Sequence, residues 1–172
     1  MTKVSHDSEV LKDGQQVITA CALIHRKRDR VNEVFLPKRA STKKFLPSVF
    51  EIPGGHIDFG EEIVDGLKRE VMEEFGMNIQ VAQPFAAFTY SNNIKRSHSV
   101  EIIYFAAFLD DESRITLDPE DHSKFIWVSQ ANIAKAYTEN KGADDIEFVY
   151  LRQGLKLLNG NCQNFGKKIA KI

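Results

Sequence analysis

The chain has few features that would mark it as a secreted, membrane-spanning or zinc-binding protein. It contains two cysteines, Cys21 and Cys162, with no CxxC pair or histidine spacing near them, which argues against a disulfide framework or a zinc site. No apolar run approaches the roughly 20 residues of a membrane helix, and the N-terminal stretch MTKVSHDSEV lacks the apolar core of a signal peptide. A net charge of -1 gives no overall reason to expect nucleic acid or a membrane surface as a partner. These absences predict a cytoplasmic location.

A length of 172 residues suits one compact domain, and 42% hydrophobic and 27% charged residues are ordinary for a globular protein. We assign the domain to residues 15–160, with a polar lead-in at 1–14 and a short basic tail at 161–172. Runs rich in β-forming residues predict strands, and longer runs of helical period predict helices. The predicted strands are 16–25, 31–40, 79–90, 98–109, 115–117 and 124–129, and the predicted helices are 61–75, 129–137 and 144–158. This order predicts an α/β protein with a mixed sheet covered by helices.

Carboxylates are concentrated in the stretch PGGHIDFGEEIVDGLKREVMEEFGM, residues 53–77. Seven lie between Asp58 and Glu74, and only Lys68 and Arg69 oppose them. At about 100° per residue, a helix here separates an apolar side from an acidic side. The apolar side holds Leu67, Val71 and Phe75, and the acidic side holds Glu70, Glu73 and Glu74. Two interpretations are open: a solvated helix face and a site for a divalent cation.

A divalent cation explains why three carboxylates stand so close together. Like charges at this spacing cost about a few tenths of a kcal/mol per pair on an exposed helix, and more when they are partly buried. Magnesium and manganese prefer carboxylate oxygens, and magnesium usually also binds substrate phosphates. The loop 53-PGG-55 offers a second wall of ligands, because glycine lets backbone carbonyls approach an ion closely.

The spacing of these residues resembles the signature of the Nudix hydrolases, the MutT-like family. Seven fixed residues match, and Val71 and Met77 stand at the aliphatic positions; the matching positions are Gly55, Glu61, Arg69, Glu70, Val71, Glu73, Glu74, Gly76 and Met77. The resemblance extends over roughly residues 16–138. It implies an α/β/α sandwich, with a mixed β-sheet and helices on both faces. Two departures touch no catalytic position: Phe50 stands where the family often has tryptophan, and Gly66 where it often has alanine.

The resemblance implies hydrolysis of a nucleoside diphosphate linked to another moiety, with one to three divalent ions, Mg²⁺ or Mn²⁺. Glu73 and Glu74 would be the main metal ligands, and Glu70 a third ligand or the group that orients the attacking water. The carbonyl group of Gly54 or Gly55 would be a further ligand. The other two charged residues of the signature, Glu61 and Arg69, would brace the loop and helix. The catalytic base stays open between Glu70 and a carboxylate from a distant loop.

Residues outside the signature are further candidates. The loop 117–124 carries Glu120 and Asp121, and similar loops in the family offer an acidic residue to metal or water; a polar turn is the alternative. Arg39 ends the second predicted strand, where similar proteins place a basic residue that contacts substrate, and Lys38 is a weaker candidate. His56 has two open roles, in substrate contact or in packing of its loop.

The substrate is less constrained than the reaction. A nucleoside triphosphate, with an oxidised base as one option, is the default, and a nucleotide sugar or a dinucleotide is an alternative. Members of the family that act on ADP-ribose carry a proline well downstream of the signature. An ADP-ribose substrate is therefore disfavoured here, because no proline occurs between Pro84 and Pro119. A catalytically inactive ligand sensor on the same fold is a second alternative, and an isopentenyl diphosphate isomerase is disfavoured because neither cysteine lies in a suitable motif. The expected partner is a small nucleotide, not nucleic acid or a membrane, and a homodimer is left open.

Overall fold

A computed structural model describes residues 15–94 and 96–160. The predicted lead-in, the basic tail and Cys162 lie outside these residues. The strands are β1 (Gln15–Arg28), β2 (Val31–Arg39), β3 (Gly54–His56), β4 (Ile79–Asn92), β5 (Ser97–Phe108) and β6 (His122–Ser129). The helices are α1 (Ile63–Phe75) and α2 (Ile146–Leu158), and two short 3-10 turns lie at Glu112–Arg114 and Ile133–Ala136.

The strands form one mixed sheet in the order β4-β5-β1-β2-β6, with β3 added on β1. β1 and β5 are parallel over ten residue pairs, from Gln15 opposite Ser97 to Ile24 opposite Ala106. The other pairings are antiparallel. The predicted mixed sheet is therefore confirmed.

Successive residues of β1 point to opposite faces of the sheet, because side chains alternate along a strand. Cys21 and Leu23 belong to a core that includes the buried face of α2: Phe148, Leu151 and Leu155. Ala22 and Ile24 belong to a second core with the buried face of α1: Leu67, Val71 and Phe75. The two helices thus cover the two faces, and the expected α/β/α sandwich is confirmed.

The bounds of α1 follow from local chemistry at each end. The helix begins at Ile63, two residues later than predicted, because Glu62 is extended. Gly76 ends it in the left-handed conformation (φ 65°), and its N–H donates to the Met72 carbonyl. Glycine is the residue that adopts this C-terminal conformation at little steric cost.

Three predictions of secondary structure were wrong. The predicted strand at 115–117 is absent, because this segment lies along the end of α1, where the N–H groups of Thr116 and Asp118 donate to the carbonyls of Phe75 and Glu74. The helix predicted at 129–137 is reduced to the 3-10 turn Ile133–Ala136. The predicted loop 41–60 contains β3. Within the described residues, no helix is long and apolar enough to cross a membrane.

Candidate functional site

The candidate site lies beside the edge of β1 that does not pair with β5, at the point where the neighbouring strand changes from β3 to β2. On that edge, Thr19–Cys21 pair with β3, whereas His25–Arg28 pair with β2. Between the two pairings, the Ala22 N–H donates to the Pro53 carbonyl at 2.8 Å. The divergence of β2 from β3 opens a cavity of about 460 Å³, which the PGG loop, α1 and the beginning of α2 line together.

The two glycines of the PGG loop allow close contacts that a side chain would prevent. Gly54 has φ 151°, and a Cβ there would collide with the backbone carbonyl of Ala20 in β1. A Cβ on Gly55 would collide with the carboxyl group of Glu70. The sequence PGG therefore brings backbone directly against a carboxyl group of α1.

Arg69 connects the PGG loop to the acidic helix. Its guanidinium donates to both carboxylate oxygens of Glu61, at 2.9 and 3.0 Å, and to the backbone carbonyl of His56 at 3.1 Å. It also donates to Glu70 at 2.9 Å and to Glu73 at 3.2 Å. The hydrogen bonds from Arg69 and from the Asp58 N–H lower the pKa of Glu61 to about 2. These contacts are the ones that a bracing role for Glu61 and Arg69 requires.

The glycine in the middle of α1 makes room for the Glu61 carboxylate. A Cβ on Gly66 would lie 2.6 Å from Glu61 Oε2 and 2.8 Å from Ile57 Cδ1. Alanine at this position would favour the helix by about 1 kcal/mol in isolation, but here it would displace Glu61 from Arg69. The departure from the family pattern at Gly66 thus has a packing reason.

Glu70 and Glu74 line the cavity together with the two glycines of the loop. Burial raises the pKa of Glu70 above its ordinary value, although Arg69 opposes the shift. Burial, with the nearby charges of Glu51, Asp121 and Glu70, raises the pKa of Glu74 to about 9. Glu74 Oε2 is buried and has no hydrogen-bond partner among the described residues.

Glu73 is placed differently from its two neighbours. Its side chain is 60% exposed, pairs with Arg69, and is not part of the cavity lining. The structure therefore brings Glu70 and Glu74 together in the cavity and leaves Glu73 outside its lining.

The predicted second loop contributes one of its two candidate carboxylates to the cavity. Asp121 lines the cavity, forms an ion pair with Lys43, and accepts the Ala40 N–H at its backbone carbonyl at 2.8 Å. Glu120 is exposed, lies outside the lining, and donates its N–H to Asp118 Oδ1 at 2.8 Å. Glu120 therefore occupies the polar turn that was the alternative to a ligand role.

Of the three residues predicted to contact substrate, two line the cavity and one does not. Arg39 lines the cavity, but its guanidinium is held by both oxygens of Glu51, at 3.0 and 2.9 Å, and by the Phe45 carbonyl at 3.2 Å. Lys38 lies outside the lining, with its ammonium 5.7 Å from the centre of the Phe50 ring. His56 is exposed and lines the cavity, and its carbonyl accepts from Arg69.

Sequence reasoning missed Glu51, which organises one side of the cavity. Besides Arg39, its carboxylate contacts Nε2 of the buried His122 at 3.0 Å. Burial works to raise the pKa of Glu51, but the hydrogen bond with His122 and the charge of Arg39 outweigh it and lower the pKa. The only sequence signal was an acidic residue two positions before Pro53.

A second missed group lies deeper, on the α2 side of the sheet: Glu101, Lys141 and Glu147. Glu101 is the recognisable one, because it is the only acidic residue of β5 and stands directly before the apolar run from Ile102 to Phe108. Lys141 lies in the turn before α2, and Glu147 lies in the first turn of α2. Nothing in the local sequence of either residue indicated burial.

The donor set fits a hard divalent cation, although the described residues contain no preformed group of three His, Cys, Asp or Glu ligands. The buried Glu74 oxygen without a partner requires a proton or a cation. Glu70, Asp121 and the PGG backbone lie around the same cavity, and all of them present oxygen, the ligand atom that Mg²⁺ and Mn²⁺ prefer.

Three comparisons with known proteins agree with this arrangement. A family model described as NUDIX domain matches residues 15–148. The m7GpppN-mRNA hydrolase NUDT17 of Danio rerio is 29% identical over 150 residues, which are 77% of this chain and 47% of that protein. The nucleoside triphosphatase NudI of Escherichia fergusonii is 28% identical over 108 residues, covering 58% of this chain and 75% of NudI. The chain thus spans about half the length of NUDT17.

A solved structure supports the fold. The crystal structure of a MutT protein from Methanosarcina mazei Go1 superposes with a TM-score of 0.67 and 20% sequence identity. The superposition covers 87% of this chain and 99% of the MutT chain.

Proposed function

Since this chain belongs to the NUDIX domain family, we propose that it hydrolyses a phosphoric anhydride bond in a nucleoside diphosphate linked to another moiety, with the help of a divalent cation. The observation that carries the proposal is the buried Glu74 carboxyl, whose Oε2 has no partner among the described residues and whose pKa is raised to about 9 by burial. It faces a cavity that also receives Glu70, Asp121 and the PGG backbone.

We assign the ligand positions as follows. Glu74 faces the cavity and would hold a cation with a backbone carbonyl of Gly54 or Gly55, whereas Glu70 faces the same cavity and is assigned to the attacking water. Glu73, which lies outside the lining, would join after release from Arg69, and Asp121 would contribute from the loop before β6. A bound Mg²⁺ or Mn²⁺ would neutralise diphosphate charge and lower the pKa of a bound water.

The remaining chemistry falls to side chains of this chain. Water attacks phosphorus, a new P–O bond forms, and the bond to the bridging oxygen of the leaving group breaks. Glu70 accepts the proton of the attacking water, because it lines the cavity, lies against Gly55, and has a pKa that burial raises above its ordinary value. Arg69 fixes the orientation of Glu70.

We propose a nucleoside triphosphate as the substrate. The names of the two relatives, an m7GpppN-mRNA hydrolase and a nucleoside triphosphatase, both denote a nucleoside carrying a chain of phosphates. The basic residues Arg39 and Lys43 lie in the cavity lining with the acidic wall, and arginine is suited to bidentate phosphate contact. We also propose a cytoplasmic location, in keeping with the free and buried thiol of Cys21.

A panel of nucleotides in ¹⁸O-enriched water tests the proposal. Nucleoside triphosphates, dinucleotides and nucleotide sugars are incubated with Mg²⁺, with Mn²⁺ and with a chelator. We expect cleavage of triphosphates that requires metal and places one ¹⁸O atom in a phosphate-containing product. A panel without cleavage in either metal would favour the inactive ligand sensor.

A further inference from the structure

The floor of the cavity holds a carboxyl group that the metal-dependent reaction does not use. Glu101 of β5 is 6% exposed and lines the cavity. Its Oε1 atom is buried and has no hydrogen-bond partner among the described residues. A buried polar atom without a partner costs about 1–3 kcal/mol, so this oxygen is free to accept a hydrogen bond from a group that the described residues do not supply.

A buried positive charge lines the same cavity as this carboxyl group. Lys141 is 3% exposed, and its ammonium forms an ion pair with Glu147, which also accepts the Ile52 N–H. An ammonium has three donors, and the ion pair occupies one of them. The charge of Lys141 also acts on Glu101. The floor therefore presents a buried acceptor oxygen and a buried donor to one cavity.

The wall above this floor is aromatic. The rings of Phe45 and Tyr90 are nearly parallel, at 13°, with 6.4 Å between their centres, and Phe88 lies 6.3 Å from Tyr90. All three residues line the cavity. Flat aromatic surfaces of this kind stack nucleobases, at about 1–3 kcal/mol per base.

We propose that Glu101 and Lys141 are specificity-determining residues that select a base with a carbonyl next to a ring N–H, as in guanine and other 6-oxopurines. Glu101 Oε1 would accept the ring N–H, Lys141 would donate to the base carbonyl, and Phe45 and Tyr90 would stack the bicyclic ring. The inference rests on the proposed function and extends it, because it places the phosphates of the same substrate next to the cation that Glu74 would hold.

Adenine reverses both contacts. It presents an amino donor where guanine has a carbonyl, and a bare ring nitrogen where guanine has an N–H. The amino group would meet the Lys141 ammonium, and the ring nitrogen would meet an acceptor oxygen. Burial and the charge of Glu147 raise the pKa of Glu101 to about 8, but a neutral acid and a carboxylate both keep an acceptor oxygen.

Nucleoside monophosphates test this inference independently of hydrolysis, because they contain no anhydride bond. Calorimetric titration measures the binding of GMP, IMP, AMP and UMP to the full chain. We expect GMP and IMP to bind about 5–100-fold more tightly than AMP, the range of a well-formed pair of hydrogen bonds. UMP should bind more weakly than GMP because it stacks less ring area.

Variants locate the preference. Glu101→Leu should bring GMP and AMP within about twofold of each other, whereas Glu101→Gln should keep tight GMP binding, because its amide oxygen is still an acceptor. Lys141→Met should weaken GMP without weakening AMP. The matched control Glu139→Gln removes an exposed carboxylate and should behave like the wild-type chain.

Equal binding of GMP and AMP by the wild-type chain, or no binding of either, would overturn the inference. So would a GMP preference that survives in Glu101→Leu, or, if that variant does not fold, in Lys141→Met. Thermal unfolding of each variant checks the fold. A base preference without anhydride cleavage would contradict the proposed reaction but support this inference. Anhydride cleavage without a base preference would support the proposed reaction but contradict this inference.

Discussion

Glu74 combines burial, neighbouring negative charges and a carboxylate oxygen without a partner among the described residues. In the metal-free protein, the folded state therefore holds the Glu74 proton up to a pKa of about 9, whereas the unfolded chain releases it near its ordinary value of 4.5. A group whose pKa is raised on folding stabilises the protein below the unfolded pKa, and this contribution is lost as pH rises.

The pH dependence of stability is the first prediction. In the presence of a chelator, the free energy of unfolding should fall as pH rises from about 5 to 9, and Glu101, whose pKa is also raised, should add to the slope. Glu74→Gln should flatten the dependence and be about 1–3 kcal/mol more stable than wild type near pH 9, since it removes a buried charge without a partner.

Urea unfolding at several pH values checks this prediction. The matched control is Glu62→Gln, because Glu62 is exposed and its side chain makes no capping hydrogen bond. A wild-type stability that rises between pH 5 and 9 in chelator would contradict the raised pKa of Glu74.

Arg69 gives a second prediction at the residue scale. Lysine keeps the charge but is a single point donor, so Arg69→Lys loses the paired contact with Glu61 and the simultaneous contacts with Glu70 and His56. We expect kcat/KM to fall about 10–100-fold, as for other groups that orient metal ligands. Steady-state hydrolysis measures the effect, with Lys68→Ala as an exposed control, and an unchanged rate in Arg69→Lys would contradict the bracing role.

At this scale, sequence and structure agree where residues lie close together in the chain. Spacing within one helix was enough to place Glu70 and Glu74 on one side of α1, and both line the cavity. The burial of Glu51 and Glu101 was not predictable, because it depends on strands and helices that are distant in sequence. The exposure of Glu73 was missed for a related reason, since Arg69 holds it outside the cavity.

At the scale of single elements, the pairing of the short strand β3 with β1 requires glycine at position 54. Gly54 has a φ of 151° and lies against the Ala20 carbonyl, so a side chain meets both backbone strain and a rigid obstacle. Gly54→Ala should lower the free energy of unfolding by about 2 kcal/mol or more, since strain of this kind alone costs about 1–3 kcal/mol.

Gly142→Ala is the control for this prediction. A Cβ at Gly142 meets no atom within 4 Å, so the change should stay within about 0.5 kcal/mol of wild type. Urea unfolding of both variants measures the difference. Equal stability of the two variants would show that β3 does not require the close approach of Gly54 to β1.

Elements with strong periodicity were predictable, and short ones were not. The apolar stripe of α1 is fully buried, as its spacing indicated. β3 has three residues, and the segment 115–117 forms hydrogen bonds with the end of α1 instead of a strand. In both segments, the backbone partners lie elsewhere in the chain, and local sequence carries no information about them.

At the scale of the whole molecule, the site exists because β1 pairs with three other strands. It pairs in parallel with β5, across about 80 residues of sequence, and divides its other edge between β3 and β2. Such long-range pairing is not encoded in local patterns, and neither the order of the elements nor the resemblance to a known family specified more than a mixed sheet. The division of that edge opens the cavity, which acidic side chains of α1 line together with polar side chains of β5, of α2 and of the turn before α2.

The most direct test of the central claim is the rate of triphosphate hydrolysis as a function of Mg²⁺ concentration, in wild type, Glu74→Gln and Glu62→Gln. We predict saturable dependence on Mg²⁺ in wild type and in Glu62→Gln. We predict a loss of more than about 100-fold in Glu74→Gln, beyond the usual effect of residues that only support a metal ligand. Hydrolysis that proceeds at the wild-type rate in Glu74→Gln, or without a divalent cation, would contradict the account.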